Sequence, residues 1–556
     1  MASSKLFLGN LPELSGHIIQ YLRNDLQTLH SCVLVNRFFC RITTPILWED
    51  PFSVKCRKGN RYNFLDIYLS YFNDDDKTSL KEFGIEIHSL VKPLFNYPNF
   101  IKTLNIFRVT LHVNNLISSS DNATPSTNAK FTFASMLEES FTIYSKYIHR
   151  SIYSICILLL KLFINSDASL NNFYMSTEDS LGIALLEKMP ELYAMISDNA
   201  KLISNVKNIS LMPMLQLNMT SQLFVISLPS LISSIRHLSI CDDTNVSFVR
   251  NLIQSQTQLL SLSFCKVKSI DLLDHFKYCF NTLTLIKFEH CDFRKVLSFD
   301  GLRNLTHLKS LHFDKCFGVT TQFLQPLLDI PTPLKIKSLK VIGWFSGLDL
   351  LLQKIGSHLK HLELYLVDDS ERDASFESII SFCDQIKFLD LSNFEIQNIT
   401  QLYRLITHFS KHLRYLTIRN EKVNPMDNCS RKRSSIVNSM IFKGLGQILP
   451  VSLEYFSLDL EINPDELKVL LDNCQHVKLK KLLVRNDNFV FIDKTFSMLK
   501  EFVEIKRVKY LAYELSTLFN PEHPKYLNSE KLASQIQPFV KLRKYDDLIL
   551  TISDFD

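Results

Sequence analysis

The stretch Leu283-Thr284-Leu285-Ile286-Lys287-Phe288-Glu289-His290-Cys291 is followed, from residue 308, by Leu308-Lys309-Ser310-Leu311-His312-Phe313-Asp314-Lys315-Cys316. Both place apolar residues at the first, fourth and sixth positions and Cys at the ninth. The fourth and sixth positions are two residues apart, which is the period of a strand, so their side chains share one face and the residue between them points to the other. A single copy of such a unit cannot bury its own apolar face. Stability requires several copies stacked side by side.

The copies are there. First apolar positions fall at 235, 259, 283, 308, 336, 359, 386, 413, 453 and 479. Apart from the step from 413 to 453, the spacing matches the 20–29 residue period of leucine-rich repeats. The chain therefore reads as α/β, a curved leucine-rich-repeat solenoid with a concave parallel β-sheet, over residues 201–556. Val206-Ile209-Leu211 and Ile101-Leu104-Ile106 look like earlier copies, and Ile505-Val508-Tyr510 like a later one. The long step requires an insertion near 420–445, in which Arg431, Lys432 and Arg433 are expected on a solvated loop. Repeats of this kind often carry Asn or Cys three residues past the third apolar position. Cys291 and Cys316 fill that slot, whereas Asp243, Trp344 and Phe394 stand there elsewhere. These cysteines are expected to be buried and bonded to backbone rather than catalytic.

Residues 1–55 follow another rule. Leu11, Leu14, Ile18, Ile19 and Leu22 recur at helical spacing, and Pro12 suits a first helical turn. Asn24 and Asp25 can cap a second helix, with its stripe running from Leu26 to Ile42. Thr43, Thr44 and Pro45 should stop it. The expectation is a helical hairpin with a third short element, too small for a self-sufficient core. Residues 56–200 show poor periodicity. Asp74, Asp75 and Asp76 and the polar stretch 118–130 read as exposed loops. The apolar run 152–164 is too short for a span and reads as a buried helix.

Leu11-Pro12-Glu13-Leu14, Ile18 and Tyr21-Leu22 resemble the start of an F-box. Leu29 to Phe39 resembles its middle, with Phe38 and Phe39 where the family often has Trp, and Thr44-Pro45-Ile46-Leu47-Trp48 resembles its end. The resemblance implies a three-helix F-box module and a substrate-recognition subunit of an SCF-type ubiquitin ligase. Its partners would be the ligase adaptor subunit, a cullin scaffold reached through it, and a protein substrate. On that resemblance Leu11, Pro12, Ile18 and Leu22 would lie against the adaptor. Leu29, Cys32, Val35 and Trp48 would divide between that interface and the helices' own core. The alternative is a scaffold, inhibitor or regulator that uses the repeats alone.

Composition argues in the same direction. Twelve Gly residues in 556 leave little room for glycine-loop nucleotide enzymes. No P-loop, G-x-S-x-G or H-E-x-x-H motif occurs, so no catalytic role and no cofactor are expected. The twelve Cys form no C-x-x-C pair, so no metal site is expected. A net charge of +5 over this length is no nucleic-acid footprint. No membrane segment or secretory signal is read, and a cytoplasmic or nuclear location fits. Binding should fall on the concave sheet. There alternation exposes His361, Tyr365, Phe388, Tyr415, Arg419, Tyr455 and Arg485, a set rich in the aromatic and Arg anchors of interfaces. Aromatic residues also suit strands for packing alone.

Overall fold

The computed structural model describes residues 12–23, 25–53, 63–81, 93–119, 144–175, 190–211, 219–241, 246–268, 279, 281–296, 300–367, 369–420, 428–486, 492–506, 508–515, 540–542 and 549–555. It divides into two compact units, residues 1–259 and 260–556.

The first unit begins with helices Pro12–Gln20, Leu26–Val33 and Arg37–Leu47. The Asp25 carboxylate accepts the Thr28 N–H at 3.0 Å, as expected of a cap. The stripe from Leu26 to Ile42 is two helices rather than one. The Asn36 side chain accepts the Phe39 N–H at 2.9 Å and starts a new helix. Pro45 does not stop that helix, which runs on to Leu47 and closes with Trp48 N–H donating to the Thr44 carbonyl. Ile19, Leu29 and Phe39 form the small core, with Leu22, Cys32, Phe38 and Ile42 packed around it. The three aspartates expected on a loop instead open the helix Asp74–Lys81, where their charge complements the helix N-terminus. Asn73 caps it by accepting the Asp76 N–H at 2.7 Å.

Four short strands follow: β1 (Thr103–Asn105), β2 (Asn172–Tyr174), β3 (Asn208–Leu211) and β4 (His237–Cys241). They pair in parallel and in chain order. Among the described residues parallel pairing thus begins at Thr103, within the early copy Ile101-Leu104-Ile106. β2 escaped the sequence reading, although Leu170, Phe173 and Met175 carry the same spacing and are fully buried. The apolar run 152–164 lies in the helix Tyr144–Asn165, and Ile155, Leu159 and Phe163 are buried there. Among the described residues no helix is long and apolar enough to cross a membrane.

The second unit holds β5 (Ser261–Cys265), β6 (Leu285–Glu289), β7 (Ser310–Val319), β8 (Ser338–Phe345), β9 (His361–Leu366), β10 (Phe388–Ser392), β11 (Tyr415–Arg419), β12 (Tyr455–Asp459), β13 (Lys481–Asn486), β14 (Tyr510–Leu515) and β15 (Lys541–Leu542). Each is parallel to the next. The apolar positions stay level from strand to strand: Ile286 pairs with Leu311, Leu311 with Leu339, and Leu362 with Leu389. Phe264, Phe288 and Phe313 stack along this level at 5.6 and 5.4 Å. Phe313 also meets Phe323 of the helix Thr321–Leu328, so this is the face that carries the helices. We call the other the open face.

Three details of this unit differ from the sequence expectation. Leu511, not Val508, pairs with Leu482, so the late copy is Val508-Leu511-Tyr513. Ile505 is 63% exposed at the end of the helix Ile492–Lys506, whose own amphipathic spacing imitated the repeat. The basic triplet Arg431–Arg433 lies within the helix Asn428–Ile448, not on a loop, so the insertion lengthens the helix of its repeat. The two slot cysteines behave as expected: Cys291 and Cys316 are buried, and each thiol donates to a backbone carbonyl at 3.4 Å, of Phe264 and Phe288.

Candidate functional site

Alternation puts three residues of each strand on the open face, and parallel register sets them in ladders. The first ladder runs Ser338, His361, Phe388, Tyr415, Tyr455, Lys481. The central one runs Lys340, Glu363, Asp390, Thr417, Ser457, Leu483. Neighbouring strands lie about 4.8 Å apart, so adjacent rungs touch. The sequence reading singled out the two outer ladders and passed over the central one.

The central ladder carries charge. Lys340 Nζ lies 2.8 Å from Asp314 Oδ2 and 3.2 Å from Glu363 Oε1. Burial pulls the Lys340 ammonium down, but Glu363 and Asp314 outweigh it and hold it above its ordinary value. Arg419 donates to Asp390 Oδ2, and Arg485 pairs with Asp459 at 3.3 Å. Asp390 is fully buried. Desolvation pushes its carboxyl up to about 7; Arg419 opposes the shift and Glu363 adds to it. Among the described residues no group hydrogen-bonds the second oxygens, Asp390 Oδ1 and Glu363 Oε2.

Open-face side chains should be wet, yet Phe388, Asp390, Thr417, Tyr455 and Ser457 are all buried. Over Phe388 and Tyr455 the cover is the chain's own C-terminal segment. Ile549 and Leu550 pack on Tyr455, Leu483 and Ala512, and the Leu550 N–H donates to Tyr455 Oη at 3.1 Å. The Asp554 carboxylate accepts the Thr551 N–H at 2.6 Å, bracing the short 3-10 turn Ile552–Phe555. The Phe555 ring then sits 4.4 Å from His361, 5.0 Å from Phe388 and 5.4 Å from Tyr415. Ring pairs of this kind contribute about 0.5–1.5 kcal/mol each beyond area burial. At the margin, Lys287 Nζ donates to Ser553 Oγ at 2.8 Å.

The sequence-derived open-face set thus comes together only in part. His361, Phe388 and Tyr415 form one cup around Phe555, and His361 also bonds the Ser338 hydroxyl at 3.0 Å. Tyr455 stands beside Tyr415, with its ring 6.3 Å away. Arg419 and Arg485 are engaged by Asp390 and Asp459, and Tyr365 is half-buried on β9. Phe388 and Tyr455 are not exposed, contrary to the alternation, because residues 549–555 lie over them. Nothing local to the repeats signals this. The only sequence hint is the apolar Leu548-Ile549-Leu550 followed by Phe555 after the last repeat.

No family model and no curated protein matches this chain. Among solved structures it is similar to one described as "Crystal structure of TLR13-ssRNA13 complex", with 12% identity and a TM-score of 0.27. The match covers 63% of this chain and 46% of that one, so the chain spans less than half the length of that structure.

At the N-terminus, Leu11 lies outside the described residues. Pro12, Ile18 and Val35 are exposed, Leu22 and Cys32 are half-buried, and Leu29 is buried in the three-helix core. Trp48 is turned inward and packs on Tyr97 and Tyr68, at 4.3 and 5.4 Å between rings. Leu29 and Trp48 therefore offer no surface to a partner. Leu14, Tyr21 and Leu34, which the sequence reading left out of the set, are exposed. Leu14 and Ile18, four residues apart, lie on one side of the first helix, and Tyr21 follows in the turn just after it.

Proposed function

We propose that this chain is a non-catalytic substrate receptor of an SCF-type ubiquitin ligase. Its N-terminal helices act as an F-box and bind the ligase adaptor, and through it a cullin. Its leucine-rich-repeat solenoid binds the target protein in the cytoplasm or nucleus. The observation that carries the reading is a set of exposed apolar residues, Leu14, Ile18 and Tyr21 at the first helix and Leu34 and Val35 just after the second. Tyr21 is 90% exposed, an unusual place for a large aromatic ring unless a partner covers it. The set coincides with the residues that resemble an F-box. The receptor needs no catalytic group, since holding a target near a conjugating enzyme raises effective concentration.

A pull-down with the purified adaptor tests the reading. The wild-type chain should be captured. A Leu11→Ala, Pro12→Ala double variant and an Ile18→Asp variant should each lose at least ten-fold in affinity at unchanged melting temperature. A wild-type chain that ignores the adaptor would sink the proposal and leave a ligase-independent scaffold or inhibitor.

A further inference from the structure

We infer that the open face of β9–β13 is a groove for a protein segment, that residues 549–555 fill it as a displaceable internal ligand, and that the preferred partner segment carries an aromatic anchor beside a cationic side chain. This rests on the proposed use of the repeats for protein binding, and adds the chemistry recognised and the device that keeps the site closed.

Three observations support it. The tail is held by side chains across the strands rather than by pairing with a sheet edge. Its anchors sit at its two ends, Leu550 on Tyr455 and Phe555 in the cup of His361, Phe388 and Tyr415. Such a contact can be released without breaking any strand pairing. Second, the cup belongs to the sheet and not to the tail: its three rings sit on adjacent strands paired in register.

Third, the tail satisfies the rings but not the charges beneath. Two cations, Lys340 and Arg419, face three carboxyl groups, Asp314, Glu363 and Asp390. Glu363 Oε2 and Asp390 Oδ1 have no hydrogen-bond partner among the described residues, although both side chains are more than nine-tenths buried. The tail's polar groups are used elsewhere. Asp554 accepts from Thr551, and Ser553 takes the Lys287 ammonium. Asp554 also has the wrong sign for this site. A Lys or Arg placed there would make charge-assisted hydrogen bonds that the tail cannot. As an intramolecular ligand the tail still competes, through its high local concentration.

The test uses the full chain with Phe555→Ala, and a fluorescent peptide of residues 549–555 as probe. Three further peptides carry Thr551→Lys, Ser553→Lys or Asp554→Lys. The native peptide should bind the Phe555→Ala chain at least ten-fold tighter than the wild-type chain, whose own tail blocks the groove. At least one lysine peptide should bind another ten-fold tighter, and that gain should vanish when Glu363→Gln or Asp390→Asn is added. Leu550→Ala, which loosens the other end, serves if the Phe555→Ala chain does not melt cooperatively. Absence of peptide binding to a cooperatively melting tail variant, equal binding to wild type, or no gain from any lysine would overturn the inference. The adaptor plays no part in the assay, so the outcome is independent of the pull-down.

Discussion

β6 and β10 are the same element built twice, and they differ on one face only. In β6, Ile286 and Phe288 are buried, while Leu285 and Lys287 are half-exposed and Glu289 is exposed. In β10, Leu389 and Leu391 are buried just as deeply, but Phe388 and Asp390 are buried too. β12 repeats the β10 pattern with Tyr455 and Ser457. The helix-bearing face is thus set by the repeat itself, whereas on the open face the Phe388 and Tyr455 rings are covered by a segment that arrives after the last strand. The tail reaches β6 through the Ser553–Lys287 bond. A solenoid's two faces therefore answer to different parts of the sequence.

The comparison breaks if the two strands are not equivalent on the helix-bearing side. Ile286→Ala and Leu389→Ala each remove a fully buried aliphatic side chain and should each cost about 4 kcal/mol. Urea unfolding of both variants checks this, and costs differing by more than twofold would show that the repeats are not interchangeable. The open face should behave in the opposite way. Phe388→Ala should cost about 3 kcal/mol, because the ring is enclosed by Phe555 and its neighbours. Leu285→Ala, at the same rung of a half-exposed site, should cost about 0.5 kcal/mol. Equal costs would mean that the tail adds nothing to the packing of β10.

This division explains what could be read from the chain. The strands were legible because apolar residues at 283, 286 and 288 repeat their spacing, and periodicity is a local property. β2 was missed because Leu170, Phe173 and Met175 stand apart from the regular run. Ile505-Val508-Tyr510 was misplaced because a helix ending in Ile505 offers the same three-residue step. The open-face rings were named correctly by alternation, but their burial was not. Nothing in residues 361–415 records that Phe555 will sit on them. The central ladder was overlooked for a related reason: Lys340, Glu363 and Asp390 look like ordinary wet-face residues until register sets them side by side. At the N-terminus, Trp48, which the resemblance left between the interface and the helices' own core, packs inward on Tyr68 and Tyr97, partners distant in sequence.

Asp390 sharpens the comparison through pH. Its carboxyl titrates near 7 in the folded chain, against an ordinary value of 3.8. Between those values the folded chain keeps a proton that the unfolded chain has lost. The stability linked to this group is therefore fully present below pH 3.8 and is lost as pH rises through about 7. Asp390→Asn removes the titration. From pH 5 to pH 8 the wild type should lose stability relative to this variant, on the order of 2–3 kcal/mol. Paired thermal melts across that range read the difference directly. A constant gap would mean that Arg419 keeps Asp390 ionised throughout, and that the cover does not dry the central ladder.

The smallest effect lies where the two regions meet. The Lys287–Ser553 bond joins the wet strand to the tail, and it is exposed. A hydrogen bond in that setting exchanges with water at little net gain, so Ser553→Ala should change stability by about 0.5 kcal/mol or less. Phe555→Ala, two residues further on, should cost several times more, because Phe555 makes ring contacts with three strands. Thermal melts of the two variants side by side test whether the tail is held by its aromatic end. If Ser553→Ala proved the more damaging, the tail would be anchored at β6. The burial of β10 would then follow from that anchor rather than from the cup.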